Sequence, residues 1–317
     1  MADKLRRRDF IKGSAAIGLS ALCGGAALAS AGRKGRVVFP GAEDAVVAAV
    51  RGDNYLLSTQ RAVDILGGMA KFVSKGARVA ILPNSQSRHP GAFTKPEIVR
   101  ATIQMCRQAG AKEVNCLSWL PEKYWEASGL GRAVLEEGAG LKVVDLKDET
   151  LFKSIPLPKG KVLKEARIMS CLFDYDIWIN LPIMKDHAGN KFTGTLKNLM
   201  GLNLAAVNRS FHTGDFQTKP DDVQHLDQCI ADLNLAVKPT LCIVDATEFI
   251  TTNGPFGPGQ LAAPRRVVAG VDRVAVDSYC TTLLGMKGED IVMIKRGYEH
   301  GLGEIDLKKV KIREEEA

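Results

Sequence analysis

Short, β-rich apolar runs alternate with segments of helical period along most of this chain, and that alternation narrows its fold more than any other feature. Residues 78–82 carry Val79, Ala80, Ile81 and Leu82 and read as a buried strand. Residues 95–109 read as a helix. Thr94 stands where a capping hydroxyl would, Pro96 and Glu97 suit a first turn, and Gly110 stops it. Ile98, Ile103, Met105 and Cys106 give that helix its apolar face. A strand over 113–117, a helix over 124–137 and a strand over 141–145 follow. This β-α-β-α-β rhythm implies a parallel sheet joined by right-handed crossovers. A helix over 58–73 precedes it and is expected to cover the sheet.

Between 145 and 164 the pattern weakens into prolines, Gly160 and many lysines, which reads as a linker. A second α/β stretch then runs through a strand at 177–181, a Gly/Lys-rich loop, a helix at 221–235 and a strand at 241–246. A Gly/Pro-rich loop at 251–259, a strand at 266–269 and a helix at 272–284 complete it. Asp272 stands where a helix N-cap would, and Asp277 falls inside an apolar helix face. The tail 313–317, Arg-Glu-Glu-Glu-Ala, reads as a solvated end. The expected class is therefore α/β: two α/β units, 36–164 and 165–317, with largely parallel sheets and a ligand cleft between them.

Residues 1–31 read as an address rather than as structure. Arg7-Arg8-Asp9-Phe10-Ile11-Lys12 fits the twin-arginine export pattern, with Arg6 where Ser or Thr is commoner. An uncharged Gly/Ala/Ser-rich stretch follows over 13–29, at the short end of what crosses a ~30 Å hydrocarbon core. It leads to small-x-small cleavage sites ending at Ala29 or Ala31. The expectation is a folded chain carried by the twin-arginine machinery to the periplasm, without a stable membrane anchor. The formal net charge of +7 is uneven. Five basic and two acidic residues sit in 1–31, and the remaining surplus is too small and too spread to suggest nucleic acid. With 45% hydrophobic and 25% charged residues the chain is no disordered, collagen-like or coiled-coil protein.

Beyond the leader the cysteines are Cys106, Cys116, Cys171, Cys229, Cys242 and Cys280. None forms a C-x-x-C pair, so local motifs give no reason to expect an iron–sulfur cluster or zinc ribbon. Most lie in apolar runs and read as buried small hydrophobes.

The densest polar segment, 181–201, leaves an apolar strand directly. It gathers Lys185, Lys191, Lys197, His187, Asn190, Asn198, Thr193 and Thr195 around Gly189 and Gly194. Loops beyond the carboxyl ends of strands form the ligand crevice of open α/β sheets. Lysines, close-approaching glycines and a helix start at Gly194 or Thr195 would together make an anion site. His187 would serve there as acid/base or metal ligand. A basic loop facing solvent is the competing reading. The phosphate-loop spacing G-x-x-x-x-G-K is absent. Asp245 ends an apolar strand before Asn253 and Gly254, a placement that suits ligand binding or an ordinary turn. Asn84 follows the strand at 78–82, where it could orient a ligand, while His89 reads as a surface histidine. Arg209 could pair an anion bidentately. His212 could join His187 on a metal, although no H-x-H or H-x-x-x-H spacing supports it.

Several of these segments, in this order, resemble the family called domain of unknown function 362. They are 94–100 with 109–114, Lys185-x-His187 with 193–201, Ile243-Val244-Asp245 with Gly254-Pro255 and Gly257, and 274–277. The similarity runs over roughly 36–300. Many relatives carry a ferredoxin-like four-cysteine insert that this chain lacks. The family is also similar to the lactate racemase fold, which implies a lysine-tethered nickel nucleotide with Lys185 and His187 as tether and ligand.

The cofactor itself stays unknown at this level, and three functions remain open. One is an enzyme of unknown reaction that binds an anionic, phosphate- or carboxylate-bearing substrate or cofactor. Its catalytic residues would be Lys185, His187 and Asp245. Its binding residues would be Asn84, Lys191, Thr193, Lys197, Asn198, Arg209, Asn253 and Gly254. The second is a periplasmic carrier using the same cleft without turnover. The third is a metal-dependent redox protein built on His187 and His212.

Overall fold

The computed structural model describes residues 45–86 and 89–317, so the expected leader over 1–31 lies outside the described residues. The elements run β1 (Val46–Arg51), α1 (Tyr55–Ile65), β2 (Arg78–Pro83), α2 (Pro96–Gln108), β3 (Glu113–Ser118), α3 (Glu122–Ser128), α4 (Leu130–Glu136) and β4 (Gly140–Val143). A hairpin follows, β5 (Phe152–Pro156) with β6 (Glu165–Met169), then β7 (Ile177–Leu181), α5 (Thr195–Asn198), α6 (Ala205–Phe211) and α7 (Pro220–Leu233). The chain closes with β8 (Leu241–Ala246), the short pair β9 (Phe249–Ile250) and β10 (Leu261–Ala262), β11 (Arg266–Gly270), α8 (Arg273–Thr282), α9 (Val292–Glu299) and β12 (Lys311–Glu316).

Eight strands make one sheet in the order β12-β1-β11-β8-β7-β2-β3-β4. Only β11 runs against its neighbours; the other adjacent pairs are parallel. The mixed α/β class with a largely parallel sheet therefore holds. The segments read as two units, 36–164 and 165–317, instead share this sheet, because β7 pairs with β2. Side-chain alternation explains why both faces are dry. Val79 and Ile81 of β2 enter a core with Ile98, Ile103, Trp125 and Val134 from the helices α2 to α4. Ala80 and Leu82 enter the opposite core, with Leu199, Phe211, Leu226 and Ile230.

Local differences from the sequence reading each have a cause. Thr94 does not cap α2: its hydroxyl accepts from the Asn84 N–H at 3.0 Å and donates to the Leu181 carbonyl at 2.8 Å, tying β2 to β7. The helix expected over 124–137 breaks at Gly129, whose φ of 76° is left-handed. The supposed linker holds β5, a strand held by pairing with β6, with Phe152 buried and Lys153, Ser154 and Pro156 exposed. The supposed solvated tail is β12, a parallel edge strand on β1. Its side chains are mostly exposed, so only its backbone bonds mark it as a strand. Asp272 does cap α8, accepting from the Val274 and Ala275 N–H groups at 2.9 Å.

Candidate functional site

Strand order reverses around β2: β3 and β4 lie to one side, and β7 and β8, later in the chain, to the other. Diverging loops leave a crevice at such a switch point, beyond the carboxyl ends of the strands. A cavity of about 330 Å³ sits there. Its floor is 82–86, which finishes β2. Leu117, Ser118, Trp119 and Leu120 come from the end of β3, and Leu146 follows β4. The remaining wall is His187, Thr193, Lys197, Asn198, Met200, Gly201, Ala205, Asn208, Arg209 and His212, all from the segment after β7.

That segment is held by its own architecture. Past Leu181 the chain keeps pairing beside β8, with the Met184 N–H donating to the Asp245 carbonyl at 3.0 Å. It then folds back so that Lys185 and Thr193 bridge each other. Gly194 lets the start of α5 close onto Asp277, because a Cβ there would lie 2.4 Å from the carboxylate. The Asp277 carboxylate accepts from the Thr195 and Leu196 N–H groups at 2.6 and 3.0 Å. Asp277 thus fastens the short helix that carries Lys197 and Asn198. Burial raises its carboxyl to about 7.

The buried polar groups form connected networks. Asn84 donates to Asn198 at 3.2 Å, and Asn198 donates to Asn180 at 2.8 Å and to the Leu82 carbonyl at 3.0 Å. Lys197 Nζ donates to Asn190 Oδ1 at 3.0 Å, and Asn190 in turn donates to Asp227. Burial depresses the Lys197 ammonium, and the Asp227 carboxylate beyond Asn190 counters part of that. Burial raises Asp227. His187 Nδ1 lies 2.8 Å from the Ala188 carbonyl, and His212 Nδ1 lies 2.9 Å from the Asn208 carbonyl. A carbonyl only accepts, so both rings carry their proton on Nδ1 and keep a lone pair on Nε2. Burial and then the Lys197 charge hold His187 well below the ordinary histidine range. His212 is lowered by burial as well.

Of the residues singled out in the sequence, Asn84, His187, Thr193, Lys197, Asn198, Arg209 and His212 meet at this cavity. Arg209 is exposed and sits at its rim, while Thr193 Oγ1 is buried without a hydrogen-bond partner among the described residues. Lys185, Asp245, Lys191, Asn253 and Gly254 lie outside the lining. Lys185 is fully buried, its Nζ donating to the Ala92 carbonyl at 2.5 Å and lying 3.5 Å from Asn84 Oδ1; burial, then the Lys197 charge, lowers it to about 7. The Asp245 carboxylate is consumed structurally. It accepts from the Lys95 N–H at 2.8 Å, the entry to α2, and from the Thr247 N–H and hydroxyl at 3.0 and 2.7 Å. Lys191 is exposed. The Asn253–Gly254 turn buttresses the loop: the Gly254 N–H donates to Asp186 at 2.9 Å, and a Cβ there would lie 1.8 Å from the Asp186 carbonyl.

His187 and His212 share the cavity, yet among the described residues no three His, Cys, Asp or Glu side chains assemble as a metal set. Lys185 has no access to the cavity wall. These residues therefore do not fit a lysine-tethered metal cofactor. All six described cysteines are unpaired, and five are buried. Trp119, Met200 and Asn208 were not anticipated. The rule that finds Asn84, a residue just past a strand's carboxyl end, also finds Trp119 beyond β3. Met200 and Asn208 arrive only through tertiary packing.

Fold and site together define a mixed α/β protein with a ligand-sized cavity at the carboxyl edge of its sheet. The profile of the domain of unknown function DUF362 matches residues 79–282, and the chain belongs to that family. The chain is 28% identical over 241 residues to the thylakoid-associated protein sll1697 of Synechocystis sp., covering 72% of this chain and 70% of that one. Among solved structures it is similar to the lactate racemase apoprotein from Thermoanaerobacterium thermosaccharolyticum, at a TM-score of 0.44 and 14% identity, covering 72% of this chain and 56% of that one. A Thermotoga maritima protein is similar at 0.43 and 13%, covering 79% and 60%. This chain spans less than two thirds of either structure, and likeness at that level carries no functional content.

Proposed function

We propose that this chain binds a small anionic ligand in the cavity at the carboxyl ends of β2, β3 and β7. One observation carries the reading: among the described residues the lining holds Lys197, Arg209, His187 and His212 but no carboxylate. Amides from Asn84, Asn198 and Asn208 and the unpartnered Thr193 hydroxyl supply further hydrogen bonds. A neutral imidazole with its Nδ1 proton committed is equipped to accept a proton at Nε2. His187 is the group we assign to that step, which makes an enzyme rather than a passive carrier the favoured form of the reading. For residues 1–31 we propose the twin-arginine leader already described and, with it, a periplasmic site of action.

Calorimetric titration with inorganic phosphate and acetate tests the binding. The wild-type chain is expected to bind at least one of them, and Lys197→Met to weaken it about tenfold or more, as charge-assisted hydrogen bonds are worth roughly 1.5–3 kcal/mol. Unchanged affinity in Lys197→Met would overturn the reading. Repeating the titration in buffers of different ionisation enthalpy separates base from carrier: proton uptake lost in His187→Gln is expected of a base.

A further inference from the structure

The cavity has two chemically different walls, and they separate along the sheet. The cationic groups and the amides of Asn198 and Asn208 follow β7, on one side of the end of β2, which itself carries the Asn84 and Gln86 amides. Leu117, Trp119, Leu120 and Leu146 follow β3 and β4, on the other. Most of the surface open to the cavity is carbon. The half-buried Trp119 has its indole N–H donated to the Met200 carbonyl at 3.4 Å, so only the ring's carbon surface remains to meet a ligand. The Met200 thioether sits 3.9 Å from Lys197 Nζ, at the seam of the two walls. Acetate or inorganic phosphate alone would occupy a small part of the 330 Å³ and would leave the carbon wall wet.

We propose that the ligand is an aromatic anion. Its planar ring system would lie against Trp119 and Met200, and its single carboxylate or phosphate group would meet Lys197, Arg209 and the Thr193 hydroxyl. Indole and thioether are both suited to a ring: offset or edge stacking and sulfur–aromatic contact add to the burial of ring area. This inference rests on the anion-binding reading above and extends it to the body of the ligand.

The test is a matched series on the full chain: acetate, inorganic phosphate, 2-naphthoate and 2-naphthyl phosphate, followed by calorimetry and tryptophan fluorescence. Each naphthyl compound is expected to bind about tenfold or more tighter than its bare head group, and to quench Trp119 emission. The better naphthyl compound identifies the head group. Trp119→Ala should erase most of the naphthyl preference, and Trp119→Phe, which keeps a ring, should retain most of it. Equal affinities for 2-naphthoate and acetate, and for the two phosphates, would overturn the aromatic proposal while leaving the anion site standing. Failure of all four to bind would overturn the anion site itself. If Trp119→Ala does not fold, the wild-type series and Trp119→Phe still decide the matter.

Discussion

Lys185 and Lys197 leave the same loop and meet opposite fates. Lys197 has a cavity to line and Asn190 to bond, whereas Lys185 is shut beneath the floor on the Ala92 carbonyl. Burial lowers the Lys185 amine to about 7, against an unfolded value near its ordinary 10.5. Between those two values the unfolded chain holds a proton that the folded chain has released, so this residue makes stability rise with pH across that window. Below about 7 both states are charged, and the cost of burying the ammonium is fully present. Lys185→Met removes the titration while keeping most of the length of the side chain. In thermal melts from pH 6 to pH 10 the wild type is expected to gain on Lys185→Met as pH rises, by at most about 1.4 kcal/mol per pH unit. Parallel curves would show that Lys185 does not titrate there. Groups such as Asp277, also near 7, are common to both chains and cancel in the difference.

At the scale of elements, two buried carboxylates organise the ends of helices. Asp245 closes the entry to α2, and Asp277 closes the entry to α5. In sequence, Asp245 looks like a ligand-binding acid at the tip of a strand. The fold instead surrounds it with three donors and sets it outside the cavity lining. Asp245→Ala should therefore cost about 1–3 kcal/mol by orphaning buried donors. Circular dichroism melts should show this as a midpoint lower by several degrees. Anion affinity of the folded variant should stay within about twofold of wild type, and a large loss of affinity at unchanged stability would restore Asp245 to the site. The elements that escaped the sequence reading share one physical reason. The largely exposed strands β5 and β12 owe their conformation to pairing partners, and neither carries the continuous apolar run that makes β2 or β7 visible.

On the scale of the whole molecule, the decisive event is the return of the chain to the far side of β2 when β7 forms. That move joins the two stretches into one sheet and opens the crevice. It also brings Trp119 and Lys197, from opposite halves of the sequence, to one cavity. Among the described residues no helix is long and apolar enough to cross a membrane. The proposed leader makes its own prediction for the molecule as a unit. Replacing Arg7 and Arg8 by Lys should hold the chain in the cytoplasm, read by fractionation. Undiminished periplasmic recovery of that variant would remove the twin-arginine proposal.

The α/β class, the parallel strands at the centre of the sheet and the polar segment after β7 were legible in the chain alone, because apolar periodicity and turn residues act over a few neighbours. Asn84, His187, Lys197 and Asn198 were legible as binding candidates for the same reason: each stands in or beside a loop that leaves a buried strand. What folding alone decided was which charges face the ligand. Lys185 and Asp245 carry the same local signature as Lys197, yet alternation beside β8 and the demand of orphaned backbone donors take both of them out of the cavity wall. Sheet order, a long-range property, then supplies the carbon wall that no local pattern announces.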